Sequence, residues 1–232
     1  MPPQGEKCPH CGDSKFISSG FTEQVVHGKR SLYPYAQPCY CEINHQIDSR
    51  FPLLAKFPPV PLEDAHRAHK LYEGRNIRFS GKEDLFLYAV KAYFLEGFIQ
   101  KDYLVLEGRR IVDEYHAPQR DGSRLTIDAL NQYDLLVILM TSYVKYETLQ
   151  RCVLDVVKNR LRLARSTWLY AESEEAMKRS SDFSEGLNLY LKEYSTVDIG
   201  KGFKYVGYTQ GKTKEIGVKK EADVQQSLGS DL

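Results

Sequence analysis

The run Asp134 to Met140 (Asp-Leu-Leu-Val-Ile-Leu-Met) sets the tightest limit on what this chain can become. After its opening Asp it is apolar without a break. An amphipathic helix would repeat its apolar residues every three or four positions, and a half-exposed strand would alternate. A short unbroken run bounded by polar residues reads as a strand buried on both faces, which is the condition of a strand inside a parallel sheet.

The flanking pattern agrees. Asn76 to Phe79 reads as a short strand ending at Ser80-Gly81, and Glu83 to Gln100 as a helix with Leu85, Ala89, Ala92, Tyr93 and Leu95 near one face. Tyr103 to Leu106 reads as a buried strand and Gly108 to His116 as a short helix. Lys145 to Leu163 reads as a long helix whose apolar positions Leu149, Val153, Val156, Val157 and Leu161 recur every three or four residues. Ser166 to Tyr170 and Thr196 to Ile199 are further strands, with a helix over Phe183 to Tyr194 between them. Alternating strands and helices predict an α/β fold, a parallel sheet covered by helices on both faces.

Ahead of this pattern lie two different stretches. Residues 1–50 hold four of the five cysteines and are expected to be a small metal module. Residues 51–75 contain Phe51-Pro52 and Phe57-Pro58-Pro59-Val60-Pro61, and are expected to be a semi-rigid connector. The α/β domain is expected over 76–206, and the polar stretch 207–232, rich in Lys, Glu and Gln, as a mobile tail. Lys and Arg number 32 against 31 Asp and Glu, for a net charge of +1. Any contact with nucleic acid therefore needs a local basic patch. No apolar run approaches the roughly 18 residues of a membrane span, and Met1 to Lys7 lack the apolar core of a secretory signal. The expected location is cytoplasmic, with no membrane partner. Thiols there stay reduced, so paired cysteines point to a metal rather than a disulfide.

Cys8-Pro-His-Cys11 and Cys39-Tyr-Cys41 make two close pairs. Zinc takes four soft ligands in a tetrahedron, and a tight turn carrying two cysteines offers both thiolates to one ion. Gly12 suits such a turn. The segment between the pairs reads as a hairpin, with Phe16-Ile17 and Phe21 to Val26 against Ser31 to Tyr35. The single residue between Cys39 and Cys41 leaves His10 or His45 as an alternative ligand. The zinc is expected to be structural, because no open site of His and carboxylate accompanies it, and so short a segment would draw folding energy from it. Cys152, inside the long amphipathic helix, reads as a small buried hydrophobe.

A triphosphate loop needs G-x-x-x-x-G-K-[ST] between a strand and the next helix: backbone N–H groups for the phosphates, a Lys for their charge and a hydroxyl for magnesium. Here that place holds Arg78-Phe79-Ser80-Gly81-Lys82-Glu83-Asp84-Leu85. Gly81 and Lys82 are present, the loop before them is too short, and Glu83 stands where the hydroxyl belongs. Glu83 and Asp84 suit the helix dipole and would repel a triphosphate. The strand from Leu135 ends in Leu139-Met140-Thr141 without the acidic pair that holds magnesium and orients water, and Asp134 is at the opposite end. Gly207-Tyr-Thr-Gln-Gly211-Lys212-Thr213 has Gly-Lys-Thr with its glycines one residue too close. The expectation is a degenerate nucleotide site at Gly81, Lys82 and Glu83, with no ATP and no catalysis.

In their order, these elements resemble the DnaC/DnaI-type replicative helicase loaders and their IstB-like relatives, across most of residues 1–205. Cys8-Pro-His-Cys11-Gly12 and Pro38-Cys39-Tyr-Cys41 look like the cysteine module ahead of many such domains. Phe57-Pro58-Pro59 through Leu62-Glu63-Asp64 looks like the connector, and Asn76 to Lys82 sits where that family has its phosphate loop. Tyr133 to Ile138 sits at its acidic strand, and Asn159-Arg160 with Ser166 to Ala171 resembles the approach to its polar sensor. Tyr190 falls where the family places an arginine for a neighbouring subunit. The resemblance implies a P-loop NTPase (AAA+)-like fold whose catalytic positions are eroded: a pseudo-ATPase adaptor in DNA replication that binds a replicative helicase and single-stranded DNA.

Candidate nucleic-acid contacts are Arg109 and Arg110, and the cluster Lys158, Arg160, Arg162 and Arg165. Lys201, Lys204, Lys212, Lys214, Lys219 and Lys220, interleaved with Phe203, Tyr205 and Tyr208, suit base stacking beside charge. A solvated helix face and a plain polar tail explain the same residues. Two other classes stay in view. One is a zinc-dependent nucleic-acid-binding module of a phage or mobile element, without helicase contact. The other is an enzyme using His66, His69, Glu63 and Asp64.

Overall fold

The computed structural model describes residues 8–26, 29–116, 127–140, 146–172 and 189–199. Its elements are β1 (Phe16–Val26), β2 (Lys29–Pro38), α1 (Tyr40–Arg50), α2 (Leu62–Tyr72), β3 (Ile77–Ser80), α3 (Glu83–Gly97), β4 (Tyr103–Glu107), α4 (Gly108–His116), α5 (Ile127–Gln132), β5 (Leu135–Leu139), α6 (Tyr146–Arg162), β6 (Ser166–Ala171) and β7 (Ser195–Asp198). Residues 189–191 are also helical. The predicted helix over Phe183 to Tyr194 otherwise falls largely outside the described residues. So do the tail, its lysines and aromatics, and the Gly207–Thr213 motif.

β3 to β7 form one parallel sheet in the order β4-β5-β6-β3-β7. Its first strand is thus inserted between its last two. With helices on both faces, this is the α/β architecture, a covered parallel sheet, that the sequence predicts. All five residues of β5 are buried, and they divide by alternation. Leu135, Val137 and Leu139 join one core with α1, α2 and α3. Leu136 and Ile138 join a second core with α4, α5 and α6. Each such side chain contributes roughly 1.5–3 kcal/mol by leaving water, so an unbroken apolar run is stable only where both faces are covered.

The first core is deeper than the sequence indicates. α3 is apolar on nearly all sides, with Phe86 to Leu95 buried in sequence. A helix of that kind needs cover all round. The sheet covers one side, and α1 and α2 cover the other. Phe51, Leu54, Phe57 and Val60 are buried in the same core.

The stretch 51–75 therefore differs from the connector its prolines suggest. The prolines do keep residues 52–61 out of helix and strand. Pro61, however, stands at the N-cap of α2 with φ −64° and ψ 148°, a conformation its ring favours, and the missing N–H costs nothing where a helix begins.

Two polar anchors seat these helices. Buried Asp64 of α2 accepts a hydrogen bond from the Tyr88 hydroxyl at 2.8 Å. Asn44 of α1 accepts from the Val60 N–H at 2.9 Å and donates to the Tyr40 carbonyl at 3.0 Å.

Candidate functional site

The two cysteine pairs converge. Cys8 and Cys11 stand on a turn closed by the Gly12 N–H donating to the Cys8 carbonyl at 2.8 Å. The Cys8 N–H donates to Asp13 Oδ1 at 3.0 Å. Gly12 and Asp13 both adopt positive φ, 55° and 73°, which reverses the chain. Cys39 is the N-cap of α1 and makes no side-chain capping bond, and Cys41 is in the first turn. The Cys39 N–H donates to the Lys15 carbonyl at 2.8 Å, so the ends of the β1–β2 hairpin bring the second pair to the first. The hairpin extends the predicted one, with an irregularity between Ser18 and Gly20.

Cys8 Sγ lies 3.8 Å from Cys39 Sγ, and Cys11 Sγ lies 3.6 Å from Cys41 Sγ. All four sulfurs fall within 4.8 Å of one another. A disulfide needs about 2.05 Å, and all four are free thiols. A zinc tetrahedron with bonds of about 2.3 Å has sulfur–sulfur edges of about 3.8 Å. Two of the cluster's edges match that tetrahedron, and the four cysteines could hold a zinc ion. His10 and His45 are exposed and lie outside it.

The protonation chemistry fits a cation. Backbone N–H groups of His10 and Cys11 aimed at Cys8 hold its thiol down at about 6. Burial pushes Cys39 and Cys41 up, the latter also through the thiols beside it. Packed thiolates repel one another, and a dication is what lets all four ionise together.

The turn where the sequence leads one to expect a degenerate nucleotide site, at Gly81, Lys82 and Glu83, is short. β3 ends at Ser80 and α3 begins at Glu83, so the turn is Gly81 and Lys82 alone. Gly81 has φ 108°, which glycine tolerates. Its N–H donates to the Glu172 carbonyl at 3.3 Å, and its carbonyl accepts from the Tyr170 hydroxyl at 2.7 Å. Lys82 is exposed at the N-cap of α3. Asp84, in the first turn, pairs with Lys56 at 2.7 Å. Burial first, then the carboxylates Glu83, Glu172 and Asp84, push the Tyr170 hydroxyl's pKa upward. The mouth of the turn is acidic. Met140 follows β5 and is buried, its N–H donating to the Tyr170 carbonyl at 2.8 Å. Asp134 forms an ion pair with Arg165 at the amino end of the sheet.

The basic candidates do not form one surface. Arg109 and Arg110 open α4 directly after β4, at the carboxyl ends of the strands. Lys158, Arg162 and Arg165 lie where α6 ends and β6 begins, at the amino ends. Lys158 and Arg162 are exposed, whereas Arg165 is engaged by Asp134. Arg109 sits 3.7 Å from Asp113.

Arg160 is a correction. It is fully buried, and its guanidinium donates to Thr167 Oγ1 at 2.9 Å and to the carbonyls of Leu130, Tyr133 and Ser166 at 2.5, 3.0 and 2.6 Å. It ties α5, α6 and β6 together and offers nothing to a ligand. Burial lowers its pKa to about 10, which leaves it charged at neutral pH.

His66 and His69 also have local partners. His66 Nδ1 lies 2.7 Å from Glu96, and His69 lies 3.5 Å from Glu73 and stacks on Tyr93 at 5.3 Å. Sequence reasoning passed over buried Lys91, whose Nζ lies 2.6 Å from Asp48 and donates to the Phe57 carbonyl at 3.0 Å. A lone Lys inside an otherwise apolar helix was the signal for it.

No protein-family model matches the chain, and no curated protein sequence matches it. Among solved structures, it is similar to the crystal structure of a DNA replication initiation factor (TM-score 0.43, 12% identity, 62% of this chain and 48% of that one). It is also similar to the replication initiator DnaA bound to AMPPCP and single-stranded DNA (TM-score 0.39, 9% identity, 68% of this chain and 44% of that one). The chain spans about half the length of these structures. No helix among the described residues is long and apolar enough to cross a membrane.

Proposed function

We propose that this chain is a non-catalytic adaptor of the helicase-loader type: a zinc-bearing AAA+-like scaffold that binds a replicative helicase, with single-stranded DNA as a further ligand. The carrying observation is the two-residue turn Gly81–Lys82 between β3 and α3. A phosphate cradle needs several consecutive backbone N–H groups free to face the anion. Here the Gly81 N–H is donated to Glu172 and acidic side chains crowd the turn. The sheet order and the motif order support the scaffold, and the zinc-sized cysteine cluster supports the module ahead of it.

Titration calorimetry with Mg-ATP tests the first part. The expected result is no binding at micromolar nucleotide, and a micromolar dissociation constant would refute the loss of the nucleotide site. Co-sedimentation with the host's purified replicative helicase tests the second. A stoichiometric complex is expected, and its absence would remove the loader reading.

A second reading, a zinc-dependent nucleic-acid-binding module of a phage or mobile element, draws on the hairpin. Phe16, Phe21 and Tyr35 are 52%, 72% and 51% exposed there, and exposed aromatics can stack on bases. Against it, Lys15 and Arg30 are already paired with Glu42 and Glu23. Binding to a single-stranded oligonucleotide that weakens steeply with salt would favour it, provided no helicase complex forms.

A further inference from the structure

We infer that metal at the four cysteines is a staple for the whole α/β core, acting through α1 and the Lys91–Asp48 pair. This rests on the zinc reading of the cysteine cluster and goes beyond it, because a separable module would leave the sheet indifferent to metal.

The chain of contacts is short. Cys39 and Cys41 occupy the N-cap and first turn of α1. α1 has 11 residues and no side-chain cap at its start. A helix of that length is marginal alone in water, and its first N–H groups need partners. Two thiolates pinned to a metal fix the end whose N-cap residue makes no side-chain capping bond. From that end, Ile43 and Ile47 enter the core shared with α3, and Phe51, just past the last turn, stacks obliquely on Phe94 at 5.1 Å between ring centres.

Asp48, on the same helix, meets Lys91 of α3, which is 0% exposed. Lys91 also donates to the Phe57 carbonyl. Both partners belong to the segment that begins at the cysteines, and Asn44 of α1 holds its far end through Val60. If α1 unravels as far as Asp48, the Lys91 ammonium in the middle of α3 loses the carboxylate that pairs with it, a strongly destabilising arrangement. α3 packs on the sheet through Phe86 against Tyr170 and Tyr93 against Trp168. Loss of metal therefore reaches the sheet.

The full chain supplies its own reporter. Trp168 is its single tryptophan, fully buried against Tyr72, Phe79 and Tyr93. Zinc is first quantified per chain, then removed by chelation under reducing conditions. Thermal unfolding is followed by Trp168 fluorescence, and amide exchange is read over residues 83–97. The expected result is a fall in the unfolding midpoint of about 5 °C or more, with loss of protection in α3. Zinc removed with both readouts unchanged would overturn the inference while leaving the metal centre standing. Protein that takes up neither zinc nor cobalt would overturn the metal reading and the inference with it. A Lys91→Met variant removes the stranded charge, so its chelation shift should be smaller than that of the unmodified chain. An equal shift would overturn the role given to Lys91 and Asp48.

Discussion

Arg160 on α6 and Thr167 on β6 are joined inside the protein by a 2.9 Å hydrogen bond from the guanidinium Nε to the hydroxyl. The same guanidinium serves three backbone carbonyls. Replacing it with Ala strips those acceptors of their donor, and an acceptor left unsatisfied in the interior costs about 1–3 kcal/mol. Arg160→Ala should lose roughly 3–5 kcal/mol in urea unfolding. Lys158→Ala and Arg162→Ala, on the exposed side of α6, should change stability by no more than about 0.5 kcal/mol. Equal effects at the three positions would contradict the assignment of Arg160 to the interior.

Gly97 ends α3 against Tyr103. A Cβ placed on Gly97 would lie 1.9 Å from the Tyr103 hydroxyl oxygen and 3.2 Å from the ring carbon that bears it. Gly97→Ala should therefore destabilise by about 1–3 kcal/mol through overpacking. The Tyr103 hydroxyl is buried without a hydrogen-bond partner among the described residues, so Tyr103→Phe should be neutral or mildly stabilising. The double variant should recover most of the loss. A double-mutant cycle with no coupling would rule out this contact.

Alkaline pH should unfold the protein through its buried tyrosines. Burial raises Tyr93 and Tyr194 to about 12, against an ordinary value of 10, and pushes Tyr88, Tyr103 and Tyr170 upward as well. The folded state keeps these protons while the unfolded chain releases them, so stability is intact below pH 10 and falls as pH rises from 10 to 12. Tyr93 and Tyr194 each account for about 2–3 kcal/mol at the upper end. Tyrosinate absorbance should rise together with loss of the Trp168 signal. Gradual ionisation of all tyrosines near pH 10, with the fold retained, would contradict their burial.

Metal analysis should return one zinc per chain. Cys8→Ser or Cys41→Ser should abolish that stoichiometry. Cys152→Ser should preserve it, because Cys152 is buried in the α6 core away from the cluster. Cobalt substitution should give thiolate charge-transfer bands, and a spectrum without them would exclude a sulfur-ligated site.

Much of the sheet was legible because its strands are marked by burial on both faces. β5, β4, β6 and β3 were read within one or two residues, and α4 at its observed bounds. The cysteine cluster was legible too, since ligand spacing is a local property. What escaped notice depends on contacts distant in sequence. α1 and α2 looked like module and connector because prolines dominate the stretch between them. Only the all-round apolarity of α3, with Lys91 inside it, indicated that further helices must cover it. Arg160 looked like surface charge for the same reason: its acceptors come from Leu130, Tyr133, Ser166 and Thr167. Composition cannot separate a buried fork of hydrogen bonds from a solvated cation.

The turn between β3 and α3 also bears on how this chain could change. What differs there from a triphosphate-binding loop is backbone, not only side chains. Exchanging Glu83 for a hydroxyl residue would alter the chemistry at the helix start and add no amide groups to surround an anion. Acquiring such a loop would require inserted residues, which would have to displace the bonds from Tyr170 and to Glu172. Single-nucleotide substitutions are thus a poor route to one, and a lineage carrying this turn would be held in its present form by chain length.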